Sequence, residues 1–290
     1  METVLSLSQQ EVQWLKQQVT LALEEDLSAV DAALDITAQL IDSDSQSQAS
    51  IITREPMVLC GQAWVDEVFR QLDADVRIEW FAHDGDSVAA GQQLCQLSGR
   101  SRSLLTGERA ALNFLQTLSA TATLTAKYSR KLEGSATRLL DTRKTLPGLR
   151  LAQKYAVRCG GGKNHRLGLY DAYLIKENHI AASGGIAAAV TKARQLNPAK
   201  PVQVEVESLN ELQQALGAQA DIVMLDNFSL ADVQQAVNTN REAETPALLE
   251  VSGNITDSRL DELKATGVDF ISSGALTKNV VAIDLSMRIS

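Results

Sequence analysis

The chain has 290 residues, 44% apolar and 22% charged, with 36 acidic against 27 basic side chains and a formal net charge of −9. That composition supplies apolar material for one large domain or two smaller ones, and its acidic balance argues against a general nucleic-acid or anionic-membrane surface. No apolar run approaches the roughly 18 residues of a membrane span. Cys60, Cys95 and Cys159 are scattered, odd in number and without a CxxC spacing. They form neither a disulfide framework nor a zinc knuckle, and they suit a reducing compartment. The opening METVLSLSQQEVQWLKQQV lacks a basic and an apolar leader segment, so a cytoplasmic protein is expected.

In chain order, residues 8–25 put Val12, Leu15, Val19 and Leu23 at helical spacing behind a Ser cap. A polar SDSQSQ loop follows. QASIITREPMVLCG and VRIEWFAHDG read as strands, with AWVDEVFRQL as a short helix between them. HDGDSVAAGQQLCQLSG has the hairpin rhythm of biotinyl and lipoyl carriers, but a carrier needs a modifiable lysine and none occurs between Lys16 and Lys127. A small β-rich domain is the expectation. Residues 103–133 read as a long helical run, with Gly107 a candidate break.

From 137 onward strand-like apolar runs alternate with amphipathic helical runs through six β–α steps, the pattern of a parallel sheet and, with so tight a repeat, of a TIM-type barrel. Polar residues stand at the carboxyl end of each predicted strand: Asp141, Arg143 and Lys144; Lys176 and Glu177; Glu205 and Glu207; Asp226 and Asn227; Ser252, Gly253 and Asn254; Ser272, Ser273 and Gly274. Barrel active sites are built at that end. SGN and SSG offer backbone N–H groups before helices, which suits a phosphate, although plain helix capping would use the same residues. Strand alternation turns Gln203, Glu205 and Glu207 to one side, near Asp226. These carboxylates could hold Mg²⁺ through oxygen and water, or be neutralised by Lys144 and Lys176 without a metal.

Residues 141–166, DTRKTLPGLRLAQKYAVRCGGGKNHR, gather seven Lys or Arg with one Asp, leaving 20 basic against 35 acidic residues elsewhere. Arg150, Lys154 and Arg158 recur at four-residue spacing on one helix face, expected to be largely solvated. Gly160–Gly162 end that helix and present His165 and Arg166. Paired guanidinium groups suit carboxylates.

TGERAALN, DTRKTLPGLR, GGGKNHRLGL, LIKENH, QVEVES, LDN, VSGNI and DFISSGALT, spread from about 106 to 277, together resemble the quinolinate phosphoribosyltransferase family. The resemblance implies an α/β fold: an incomplete TIM-like α/β barrel with an N-terminal α/β open-sandwich domain. The expected division is 1–112 for the sandwich, with 280–290 returning to it, and 113–279 for the barrel, whose seventh strand the pattern does not place. The implied activity transfers the phosphoribosyl group of phosphoribosyl pyrophosphate to quinolinate with decarboxylation, and the alternative is a related enzyme acting on nicotinate or another carboxylated heterocycle. Arg143, His165 and Arg166 would bind the quinolinate carboxylates with Lys144 and Lys176 close by. Arg109 would reach the pocket from the partner of a homodimer. Glu205 and Asp226 would handle the ribose and Mg²⁺, with Lys144 catalytic beside them. Ser252, Gly253, Asn254, Ser273 and Gly274 would cradle a phosphate. No nucleic-acid or membrane partner is implied.

Overall fold

The computed structural model describes residues 5–290, so the first four residues of the stretch read for a leader lie outside the described residues. The chain forms two compact units. One collects the residues up to Ala126 with Thr145–Gly161 and Asn279–Ser290; the other holds Lys127–Lys144 and Gly162–Lys278.

The first unit opens with helix α1 (Gln9–Leu27), whose Ser8 cap accepts the Glu11 N–H while the Glu11 carboxylate accepts the Ser8 N–H. Leu15, Val19 and Leu23 face inward, whereas Val12 lies more than a third exposed. Strands β1 (Gln46–Thr53), β3 (Arg77–Trp80) and β5 (Gln93–Arg100) form an antiparallel sheet that the final strand of the chain, β12 (Leu285–Ile289), completes in the order β12-β1-β5-β3. The short strands β2 (Met57–Val58) and β4 (Ser87–Val88) pair separately. Helix α2 (Gln62–Leu72) buries Trp64 and Phe69 in the core, each contributing about 1.5–3 kcal/mol of apolar burial.

Helix α3 (Ser101–Lys131) runs 31 residues without the interruption that Gly107 suggests. A Cβ at Gly107 would stand 2.5 Å from the Phe69 ring, so this glycine serves close helix packing and not a break. Helix α4 (Arg150–Cys159) also belongs to the first unit. The basic run after the first barrel strand is therefore not a barrel helix. Its cations are not a solvated face either: Lys154 is fully buried, Arg158 pairs with Glu11 at 2.8 Å, and Arg150 donates to Thr145 Oγ1.

The second unit is a parallel six-stranded sheet. Its strands are β6 (Arg138–Leu140), β7 (Tyr173–Ile175), β8 (Val202–Val206), β9 (Ile222–Asp226), β10 (Leu248–Ser252) and β11 (Phe270–Ser272), in the order β6-β11-β10-β9-β8-β7. Helices α5 (Glu177–Ser183) to α10 (Ala275–Lys278) follow the strands: α6 (Ile186–Leu196), α7 (Leu209–Gly217), α8 (Leu230–Arg241) and α9 (Asp257–Leu263) lie between. Val204, Val206, Val223, Leu225 and Val251 are buried, as a sheet covered by helices requires. Lys163, in the GGGKNHR segment, forms an isolated parallel bridge with Leu140 at the end of β6, the edge strand of the sheet. Among the described residues the strands do not hydrogen-bond into a closed ring, so the barrel is incomplete. No helix of the described residues is long and apolar enough to cross a membrane.

Candidate active site

Because all six strands are parallel, their carboxyl ends lie on one side, and the residues that follow each apolar run meet there. A cavity of about 300 Å³ opens at this place, lined by Arg143, Lys144, His165, Arg166, Lys176, Glu205 and Ser252 among the residues anticipated from sequence. Ser272, named with the sixth strand end, also lines it, and Glu250, Thr142, Leu174 and Met224 complete the lining without having been anticipated as site residues.

Local chemistry fixes each cation. Asp141, fully buried at the end of β6, accepts the His165 N–H at 2.8 Å and the Asn164 side-chain amide at 2.6 Å, so the glycine-led loop is tied to the strand. Asp171 accepts the N–H groups of Leu167 and Gly168. Although burial acts in the other direction, these bonds hold its carboxyl below the usual range. Burial, and after it the neighbouring Arg143 guanidinium, lowers Arg166 from the ordinary arginine value. Two guanidinium groups that oppose each other's charge in one cavity are a device for an anion with more than one charge. Lys144 takes its N–H to Thr142 Oγ1, and its carbonyl accepts from Thr277 Oγ1.

Lys176 Nζ meets Glu205 Oε2 at 2.5 Å across β7 and β8. Its side chain is 41% exposed, so the pair stands at the open side of the cavity. His179 Nδ1 accepts the Lys176 N–H and caps the helix that follows. Glu207 does not join Glu205: β8 ends at Val206, the alternation ends with it, and Glu207 is exposed with its N–H on Glu211. The inward carboxylate is instead Glu250, 1% exposed in the middle of β10 and 3.3 Å from His165 Nε2.

The phosphate-type segments sit where backbone strain concentrates. Asn227 (φ 56°), Gly253 (φ 98°) and Asn254 (φ 44°) all have left-handed backbone. A Cβ at Gly253 would lie 2.2 Å from Asn227 Oδ1, and one at Gly274 would lie 2.8 Å from Lys144 Cδ. Asp226 ends β9 beside Ser252 and accepts from Asn227 Nδ2. Asp226, Gly253, Asn254, Ser273 and Gly274 thus stand on the same strand ends without lining the cavity itself. Arg109 is exposed on α3 in the first unit.

Carboxylates and thiols of this chain also meet elsewhere. Cys60, Asp84 and Cys159 bring their side-chain atoms within 4.8 Å of one another in the first unit. Asp84 Oδ1 there accepts the N–H groups of Gly61 and Gln62, and Oδ2 accepts the Tyr155 hydroxyl. Burial pushes the Cys60 thiol up. With its carboxylate so engaged and Cys60 held as a thiol, this cluster is packing chemistry.

The quinolinate phosphoribosyl transferase C-terminal domain model matches residues 121–288, and the N-terminal domain model matches residues 35–119. A probable carboxylating nicotinate-nucleotide pyrophosphorylase of Bacillus subtilis is 41% identical over 259 residues, covering 88% of each chain. Among solved structures, the nicotinate-nucleotide pyrophosphorylase of Francisella tularensis superposes with a TM-score of 0.92 at 51% identity and covers all of both chains. NadC from Streptococcus pyogenes gives 0.91 at 38% identity over 98% of each. A cavity with opposed guanidinium groups on a six-stranded parallel sheet is thus found in a chain that also forms a separate antiparallel sheet and that belongs to the quinolinate phosphoribosyltransferase family.

Proposed function

We propose that the cavity takes quinolinate and phosphoribosyl pyrophosphate and yields nicotinate mononucleotide, pyrophosphate and CO₂. One observation carries the assignment of the pocket. Five buried side-chain atoms among the described residues lack a hydrogen-bond partner, and three of them, Arg143 Nε, Glu250 Oε1 and Ser272 Oγ, belong to residues lining this one cavity. Buried polar atoms are almost always paired, so a donor left over on Arg143 next to Arg166 marks a place for an anionic ligand. Two guanidinium groups with Lys144 and Lys176 suit a dicarboxylate better than a monocarboxylate, which favours quinolinate over nicotinate.

In the reaction the pyridine nitrogen attacks ribose C1 as pyrophosphate departs, and Glu205 and Asp226 stabilise the positive charge that develops on the sugar. Lys144 and Lys176 meet the negative charge of the leaving group. The positive charge of the alkylated ring nitrogen stabilises the electron pair that the breaking C2–carboxylate bond leaves on C2, CO₂ departs, and a proton bonds to that pair at C2. Arg143 and Arg166 hold the ring in register throughout, while the Ser252–Asn254 and Ser273–Gly274 segments direct N–H groups to a phosphate.

Glu205 and Asp226, one carboxylate on each of two adjacent strands, fit an ion that keeps water and phosphate ligands of its own. They would hold Mg²⁺, which when bound offsets charge on the pyrophosphate. Arg109 would complete the pocket from the second subunit of a homodimer. Three unpaired, buried cysteines support a cytoplasmic location.

The test is pyrophosphate release from phosphoribosyl pyrophosphate and Mg²⁺, with quinolinate and nicotinate in parallel. Release with quinolinate alone, one CO₂ per pyrophosphate, is expected. Release with nicotinate alone would overturn the substrate, and release with neither would overturn the activity.

A further inference from the structure

Glu250 is the least accommodating residue of the site. β10 carries it inside the sheet at 1% exposure, where a carboxylate persists only if hydrogen-bonded or paired. Its Oε2 accepts from Gln203 Nε2 at 2.8 Å and stands 3.3 Å from His165 Nε2, while Oε1 has no partner. A second cavity, of about 400 Å³, shares Glu250, His165 and Arg166 with the first. Glu250 therefore lines both, beside a pocket otherwise furnished to attract anions, and charge complementarity to a dicarboxylate does not explain its presence.

Its neighbour does. The His165 N–H is bound to Asp141 Oδ1, and the Arg166 N–H donates to His165 Nδ1 at 2.8 Å. A ring nitrogen that accepts carries no proton, so the imidazole proton sits on Nε2, the nitrogen facing Glu250. If the ring turns or its proton moves to Nδ1, the Arg166 N–H loses its acceptor. We propose that Glu250 is a positioning residue: it fixes the Nε2–H tautomer and the rotation of His165, and through His165 Nδ1 it sets the backbone from which Arg166 reaches the ligand carboxylate. The proposal rests on the quinolinate reading of the cavity and adds to it the group that aligns the carboxylate clamp. Gln203 belongs to the same chain of bonds, holding the Glu250 oxygen that faces the ring.

The experiment uses the full chain with Glu250→Ala, Glu250→Asp and Glu250→Gln. It measures KM for each substrate separately, kcat, and the ¹⁵N signals of histidine-labelled protein, with a His165→Asn variant to assign the ring. In Glu250→Ala the KM for quinolinate rises about tenfold or more, as for a misplaced binding group, and the KM for phosphoribosyl pyrophosphate stays within about twofold. The His165 signals leave the pure Nε2–H pattern. Glu250→Asp, whose carboxyl is drawn back by one methylene, does the same and carries the test if the alanine variant does not fold. Glu250→Gln keeps an acceptor oxygen toward the ring and recovers most of the quinolinate affinity. A folded Ala or Asp variant with unchanged quinolinate KM, or with unchanged His165 signals, overturns the proposal. So does a Gln variant as impaired as Ala. The NMR arm needs no substrate, so a wild-type protein inert toward quinolinate would refute the proposed function while leaving the role of Glu250 to be decided by the ring.

Discussion

Replacing Gly253 by Ala and Gly274 by Ala makes the same chemical change at two strand ends of one sheet, yet the structure assigns the two variants different outcomes. At Gly253 the new Cβ would stand 2.2 Å from Asn227 Oδ1 and 3.1 Å from the Asn227 backbone nitrogen, on a residue whose φ is 98°. The left-handed backbone costs a non-glycine residue about 1–2 kcal/mol. Pushing Asn227 aside removes its 2.8 Å bond to Asp226, a further ~1 kcal/mol. The sum is about 2–3 kcal/mol, a fall of very roughly 5–10 °C in Tm for a chain of this size. Because Asn227 holds the Asp226 carboxylate, the KM for phosphoribosyl pyrophosphate should rise about tenfold while that for quinolinate stays within about twofold. At Gly274 no positive φ is involved, and the clash is with Cδ of Lys144, the aliphatic stem of a flexible side chain. Stability should change by less than about 0.5 kcal/mol, and the loss should fall on kcat as the Lys144 ammonium is displaced. Differential scanning calorimetry and two-substrate kinetics on both variants decide the matter. A Gly253→Ala protein that melts like wild type with an ordinary KM for phosphoribosyl pyrophosphate would refute the close-approach reasoning, as would equal Tm losses at the two sites.

Three further outcomes are expected. Arg143→Lys keeps a charge but removes the Nε donor and the fork, so the quinolinate KM should rise at least about tenfold with little change in Tm; a normal KM would take Arg143 out of the pocket. Asp84, whose carboxyl is raised by burial to about 6 from 3.8, holds its proton in the fold between those values while the unfolded chain has lost it. Stability from this group therefore falls as pH rises from about 4 to 6, by about 3 kcal/mol in all. Asp84→Asn should remove that slope in urea unfolding curves taken from pH 4 to 8. Chelation of Mg²⁺ should abolish pyrophosphate release, and added Mg²⁺ should restore it, while the melting temperature without substrates stays put, because two carboxylates without phosphate hold such an ion weakly.

Strand ends were legible in the sequence because every apolar run stops at polar residues, and capping, which could account for one such end, does not account for six in register. The family motifs fall at the same places, and the matching domains and solved relatives bear out the family they point to. Glu250 escaped because a lone acid inside ALLEVSGN reads as a strand irregularity; only β8, separated from β10 by β9, gives it a partner, in Gln203 Nε2. Helix α4 escaped for a different reason. Periodicity reports that a helix has an apolar face but not which core receives it, so an amphipathic helix between two barrel strands looks like a barrel helix wherever it packs. Buried Lys154 shows the same limit, since charge spacing alone does not reveal that a helix is covered on its basic side as well.

The pairing of β12 with β1, from Ala49 opposite Ile289 to Thr53 opposite Leu285, and of Gln48 with Ser290 beyond it, has a bearing on how the protein folds. One edge of β1 pairs with β5 in the same unit, but the other waits for β12, which comes in the chain only after every strand of the second unit. Contacts between segments so far apart in sequence are slow to close, and until this one closes the edge is an open template for any extended chain nearby. The first sheet is therefore the part of the fold most exposed to mispairing on the way to the native state.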